Sequence, residues 1–130
     1  MLGIPNEYVD LLSDEKRSFA FLATIMNDGT PQVTPVWFNT DGENILINSA
    51  KGRVKDTNIR VNPYVAIAIV DPTDMYRYLQ IRGKVVEITE KSAREHINAL
   101  CKKYTGEDVF NLKSPEEVRV IYKIRPINME

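Results

Sequence analysis

Phe19-Ala20-Phe21-Leu22-Ala23-Thr24-Ile25-Met26 reads as a buried strand, Asn27-Asp28-Gly29-Thr30 as a tight turn, and Gln32-Val33-Thr34-Pro35-Val36-Trp37-Phe38-Asn39 as the strand that returns. An Asp-Gly pair between two apolar runs favours a hairpin, because glycine accepts the positive φ that such turns require. A second Asp-Gly turn, Thr40-Asp41-Gly42-Glu43, leads into a third strand over Asn44–Asn48, so this part of the chain reads as an antiparallel meander. Pro35, at the centre of its strand, removes a ladder donor and marks an edge, a bulge or a place where a ligand meets the backbone.

Downstream of the meander, Asn48-Ser49-Ala50-Lys51-Gly52-Arg53-Val54-Lys55-Asp56-Thr57-Asn58-Ile59-Arg60-Val61-Asn62-Pro63 reads as a short basic helix between two strands. Ser49 offers an N-cap, and Pro63 ends the helix because it has no N–H and disfavours helical backbone before it. The spacing predicts a helix over Ala50–Val61 with Lys51, Lys55 and Asn58 on one face at i, i+4, i+7. Lys51, Arg53, Lys55 and Arg60 stand against Asp56 alone here, in a chain with 17 basic and 18 acidic side chains. Local positive charge at a helix start is a candidate phosphate site, and a solvated charged face is the alternative.

Outward from these two stretches, Glu7–Leu12 suits a short amphipathic helix, and Tyr64–Val70 is a β-branched core strand closed by Asp71-Pro72-Thr73-Asp74. In the strand Tyr78–Ile88, Leu79, Ile81 and Gly83 alternate with Gln80, Arg82 and Lys84, and Gly83 marks a bulge or a close backbone approach. A helix over Glu90–Tyr104 carries Ala93, Ile97, Leu100 and Tyr104 on its apolar face, and Val118–Pro126 forms the last strand. Six strands with two or three short helices, joined mostly by tight turns, predict a mainly β protein: an antiparallel barrel in one domain over residues 1–130.

Hydrophobic residues at 43% and charged residues at 27% exclude a disordered chain, and no apolar run reaches the ~18–20 residues of a membrane-spanning helix. A net charge of −1 argues against nucleic-acid binding. The single cysteine forms no internal disulfide, and with no signal-peptide pattern at the N-terminus a cytoplasmic location is expected. One histidine and one cysteine, His96 and Cys101, exclude a four-ligand zinc site; both are expected to be structural, and no metal is expected.

The chain resembles the FMN-binding split barrels related to pyridoxamine 5′-phosphate oxidase over nearly its whole length. The resemblance is to the branch described as deazaflavin-dependent (coenzyme F-420) oxidoreductases. It rests on Phe21-Leu22-Ala23-Thr24, the run Asp28 to Phe38, Lys55 to Pro63, Tyr78-Leu79-Gln80-Ile81-Arg82-Gly83, Tyr104-Thr105-Gly106 and Ile124-Arg125-Pro126. Each piece is short; their order and spacing carry the likeness.

The resemblance implies a six-stranded split barrel acting as a homodimer, with two equivalent cofactor sites between subunits. It implies a phosphate grip at Ser49, Lys51 and Lys55, with Asn48 beside them and Arg53 helping, and a ring-binding backbone edge at Pro35-Val36-Trp37. Gln80 and Arg82 would reach the site from the other subunit. The implied function is hydride transfer between bound FMN or coenzyme F-420 and a small-molecule substrate, with no protein residue acting as a catalytic group. The substrate pocket is expected along Tyr104–Phe110 and the partner's Tyr76–Tyr78. A non-catalytic flavin- or haem-binding module for storage, sensing or stress response is the alternative on the same barrel.

Overall fold

The computed structural model describes residues 3–130. A short 3-10 helix, Asn6–Leu12, precedes the strands β1 (Phe19–Ile25), β2 (Pro31–Val36), β3 (Phe38–Thr40) and β4 (Ile45–Ala50). Helix α1 (Val54–Val61) follows, then β5 (Tyr64–Asp71), β6 (Asp74–Thr89), α2 (Ala93–Thr105) and β7 (Arg119–Met129). The strands form one antiparallel sheet in the order β2-β1-β5-β6-β7-β4-β3.

There are seven strands where the sequence suggests six, and the difference lies at Trp37. Gln32–Asn39 reads as one strand, but the chain leaves its pairing with β1 after Val36 and pairs with β4 from Phe38. β2 and β3 are the two edges of the sheet, and one residue separates them. The sheet therefore has to curl until its edges come together at Trp37, giving a barrel that stays unpaired along the seam between β2 and β3.

Alternation along each strand fills the interior. Ala20 and Leu22, Val65, Ile67 and Ile69, Leu79, Ile81 and Val85, and Val120, Tyr122 and Ile124 point inward with Ile45, Ile47 and Phe38, while Leu11 and Leu12 join them from the 3-10 helix. α2 packs against β4 and β7 through Ala93, His96, Ile97, Leu100 and Cys101, covering the outside of that part of the barrel.

α1 is shorter than its sequence suggests, beginning at Val54 and not at Ala50. β4 continues through Ser49 and Ala50 because β7 pairs with both, Ser49 opposite Val120 and Ala50 opposite Arg119. Lys51 and Gly52 then make the turn, with Gly52 at φ +92°. Ser49 is accordingly a strand residue and no N-cap; Arg53 holds the cap position without a side-chain capping bond. Ladder pairing outweighs the local capping preference.

Gly83 sits where the β6–β7 register shifts. A Cβ there would lie 2.7 Å from Ile124 Cγ2 and 3.0 Å from the Arg125 carbonyl oxygen. Gly83→Ala should therefore lower unfolding stability by about 1–3 kcal/mol in urea titrations. A loss below ~0.5 kcal/mol would mean that the strands part there without strain.

Candidate functional site

A cavity of about 540 Å³ opens beside Trp37, where the two sheet edges meet. One wall is aromatic. The Trp37 ring stacks on Tyr104 with centroids 5.6 Å apart and planes 7° from parallel, and Phe110 meets it edge-on at 6.0 Å. Such contacts add about 0.5–1.5 kcal/mol beyond burial. Phe19 and Phe21 of β1 extend this wall, and Pro35 and Val36 supply the strand edge between them and Trp37. Tyr104 is anchored through its hydroxyl, which donates to the Ser18 carbonyl at 2.8 Å, and burial pushes its pKa up to about 12.

Across from the rings the lining is polar: Asn48 of β4, Arg53 and Lys55 at the start of α1, and Arg119 of β7. Three cations meet one carboxylate, since Glu117 lies 3.7 Å from Arg53 and 3.0 Å from Arg119. Among the described residues Lys55 has no ion pair, and its pKa is lowered first by burial and then by the Arg53 and Arg119 charges. Burial also lowers the pKa of Arg119, against the pull of Glu117. Such a group is poised to take an anion, which would offset both its lost hydration and its mutual repulsion.

The start of α1 is held from below. The buried Asp56 carboxylate accepts from the Gly52 N–H at 2.9 Å, from Arg60 Nε at 3.0 Å and from the Tyr122 hydroxyl at 2.7 Å. Burial raises the Asp56 pKa, but these donors outweigh it and hold the carboxyl below its usual value. Asn48 is fixed as firmly. Its Nδ2 donates to the Ala93 carbonyl at 2.9 Å and to His96 Nδ1 at 3.0 Å, while its Oδ1 accepts from Arg119 Nε at 2.9 Å. Since Nδ1 must accept, the His96 proton is on Nε2, which donates to Asn39 Oδ1 at 2.8 Å.

Of the residues named from the sequence, Pro35, Val36, Trp37, Asn48, Arg53 and Lys55 line this cavity together. Ser49, Lys51, Gln80 and Arg82 do not. Ser49 pairs with Val120 on the barrel-interior face of β4, on the opposite side from Asn48, so its hydroxyl is buried in the core. Lys51 lies in the turn before α1, off the helical face of Lys55, and pairs with Glu90 at 3.3 Å. Gln80 and Arg82 stand exposed on the outer face of β6. Arg119 and Glu117 were not visible as site residues: in Val118-Arg119-Val120 the arginine alternates with apolar residues and reads as solvent-facing. Distant packing makes it a buried wall: α2 lies against β4 and β7, and Asn48, Glu117 and Phe110 close round the guanidinium.

The described residues hold no cluster of three metal-ligating side chains, and no helix among them is long and apolar enough to cross a membrane. The sequence profile of the pyridoxamine 5′-phosphate oxidase family matches residues 4–129. A solved F-420 reductase is 36% identical, with 98% of each chain covered and a TM-score of 0.83. General Stress Protein 26 of Bacillus anthracis, at 20% identity, covers 92% of this chain and 89% of its own with a TM-score of 0.66. HupZ of Group A Streptococcus, at 22% identity and 98% coverage of both chains, gives 0.64. These last two share the fold.

His96 gives the site an acid signature. Burial, and then the Arg119 charge, push its pKa down to about 4 from 6.5. The unfolded chain takes up this proton below pH 6.5 and the folded chain does not, so stability falls between pH 6.5 and 4 by roughly 3 kcal/mol. Asp10, Asp28, Asp41, Asp56 and Asp71, whose pKa values lie below the usual 3.8, add to the loss only below about pH 5, so the fall between pH 6.5 and 5 belongs to His96. Urea unfolding across pH 4–8 should show this slope, and His96→Gln should flatten it; an unchanged slope in the variant would contradict the assignment.

Proposed function

The chain belongs to the pyridoxamine 5′-phosphate oxidase family, and from that premise we propose that it is a flavin- or deazaflavin-dependent oxidoreductase. The cofactor is FMN or coenzyme F-420, and the reaction is hydride transfer to or from a small organic substrate. One observation carries this reading: a single cavity joins three cations that share one carboxylate, two of them at an uncapped helix start, to a wall of stacked rings. A phosphorylated ring cofactor matches both halves, its phosphate meeting Arg53, Lys55 and the first-turn N–H groups of α1, its ring meeting Pro35, Val36 and Trp37. The similarity to an F-420 reductase supports the deazaflavin, and the charge at Arg53 and Lys55 suits FMN equally.

Bound there, the cofactor supplies the hydride chemistry. The protein orients it, excludes water with Trp37, Tyr104 and Phe110, and offers the cavity mouth to the substrate. No side chain is assigned as a nucleophile or as a general acid.

We also propose that the working unit is a homodimer. Phe19, Phe21, Val33, Tyr64 and Tyr78 lie exposed on the outer face of β1, β2, β5 and β6, where Phe21 pairs with Ala68 and Ala68 with Gln80. Such an apolar sheet face needs a cover, and it runs into the cavity through Phe19, Phe21 and Pro35. A second copy seated there would close the cavity and bring its own Gln80 and Arg82 towards it.

Lys55→Met should weaken FMN and F-420 binding tenfold or more in calorimetric titrations, about 1.4 kcal/mol. The same change should raise the melting temperature of the ligand-free protein, because a part-buried ammonium without an ion-pair partner is removed. Lys51→Met should alter affinity less than twofold, since Lys51 pairs with Glu90. Affinity should also fall as pH rises through the depressed Lys55 pKa, before the ordinary lysine value of 10.5 is reached. A loss at Lys51 with none at Lys55 would overturn this placement of the phosphate.

A further inference from the structure

Arg119 is only 5% exposed, yet it lines the cavity, and its guanidinium is aimed by a chain of hydrogen bonds reaching across four elements. Asn39 of β3 fixes His96 of α2, His96 fixes Asn48 of β4, and Asn48 accepts from Arg119 Nε on β7. Asn48 cannot turn over, because its Nδ2 also donates to the Ala93 carbonyl. Nη1 donates to Glu117 at 3.0 Å. Among the described residues no hydrogen bond takes Nη2. Phe110 lies against the guanidinium, its ring centroid 5.2 Å from Cζ, so the face is covered and the donor edge is what remains.

Nη2 is not sealed within the protein but opens to the cavity, where an oxyanion meeting that donor edge forms a charge-assisted bond with a guanidinium already held in place. Asn48 and His96 bear no charge of their own at neutral pH and add no competing anion, so their contribution is direction. We infer that Arg119 is a phosphate-binding residue of the cavity, presented through Nη2, and that His96, acting through Asn48, is its positioning residue. The inference rests on the flavin-type reading for the identity of the ligand, while the contact itself can be probed with phosphate alone.

FMN and riboflavin share the ring and differ in the phosphate, so their dissociation constants separate the two roles. Arg119→Gln should weaken FMN tenfold or more and riboflavin less than threefold. His96→Leu should weaken FMN three- to tenfold with riboflavin again little changed, and His96→Asn, whose Oδ1 can accept from Asn48, should restore FMN binding. Equal losses for both flavins, or no loss for FMN, would overturn the assignment. If a variant does not fold, the wild-type protein decides: the Arg119 Nε–H resonance in nitrogen-15 NMR should shift saturably with inorganic phosphate, and a resonance that stays still overturns the inference. A wild-type protein that binds neither FMN nor F-420 while phosphate shifts that resonance would refute the flavin reading and support the role of Arg119.

Discussion

Trp37 is the joint on which the molecule depends. The residues before it pair with β1 at one edge of the sheet, and those after it pair with β4 at the other. Seven strands have to curl for a single residue to bridge them, and the interior that results takes the inward rows of β1, β4, β5, β6 and β7. At a barrel seam of this kind no ladder bond runs across the gap between edges. An opening is left where backbone, rings and the start of a helix can meet, and Trp37 supplies its ring wall with Tyr104 and Phe110.

Electrostatics in this opening run against the stability of the empty protein. Arg53, Lys55 and Arg119 face a single carboxylate, and burial works against both Lys55 and Arg119 in their charged forms. A protein selected only for stability would neutralise or expose such a group. Here the neighbours hold it in place: Tyr122, Gly52 and Arg60 fasten Asp56 beneath the start of α1, and His96 fastens Asn48. Rigid support beneath unsatisfied charge is the arrangement expected where a bound anion completes the set.

Much of the fold could be read from local chemistry. Asp28-Gly29 and Asp41-Gly42 announced their turns, the alternation in β5 and β6 separated core from surface, and Gly83 marked the bulge that the β6–β7 register shows. Half of the cavity lining was legible for the same reason: Pro35 marks a strand edge, and Arg53 and Lys55 concentrate charge. What escaped depended on distant packing. Ser49 resembles an N-cap until β7 pairs with it, Lys51 shares a face with Lys55 only if the helix starts early, and Arg119 resembles a solvent-facing residue until Asn48, Glu117 and Phe110 close round it. The seventh strand was hidden because edge-switching at Trp37 leaves no local signal.

The central claim is that the cavity beside Trp37 holds a ring cofactor, and the chain contains one tryptophan with which to test it. Trp37 emission, followed while FMN or coenzyme F-420 is added, should be quenched saturably with a stoichiometry of one per chain by at least one of the two. Emission that falls only as the added cofactor absorbs light, without saturation for either, would contradict it.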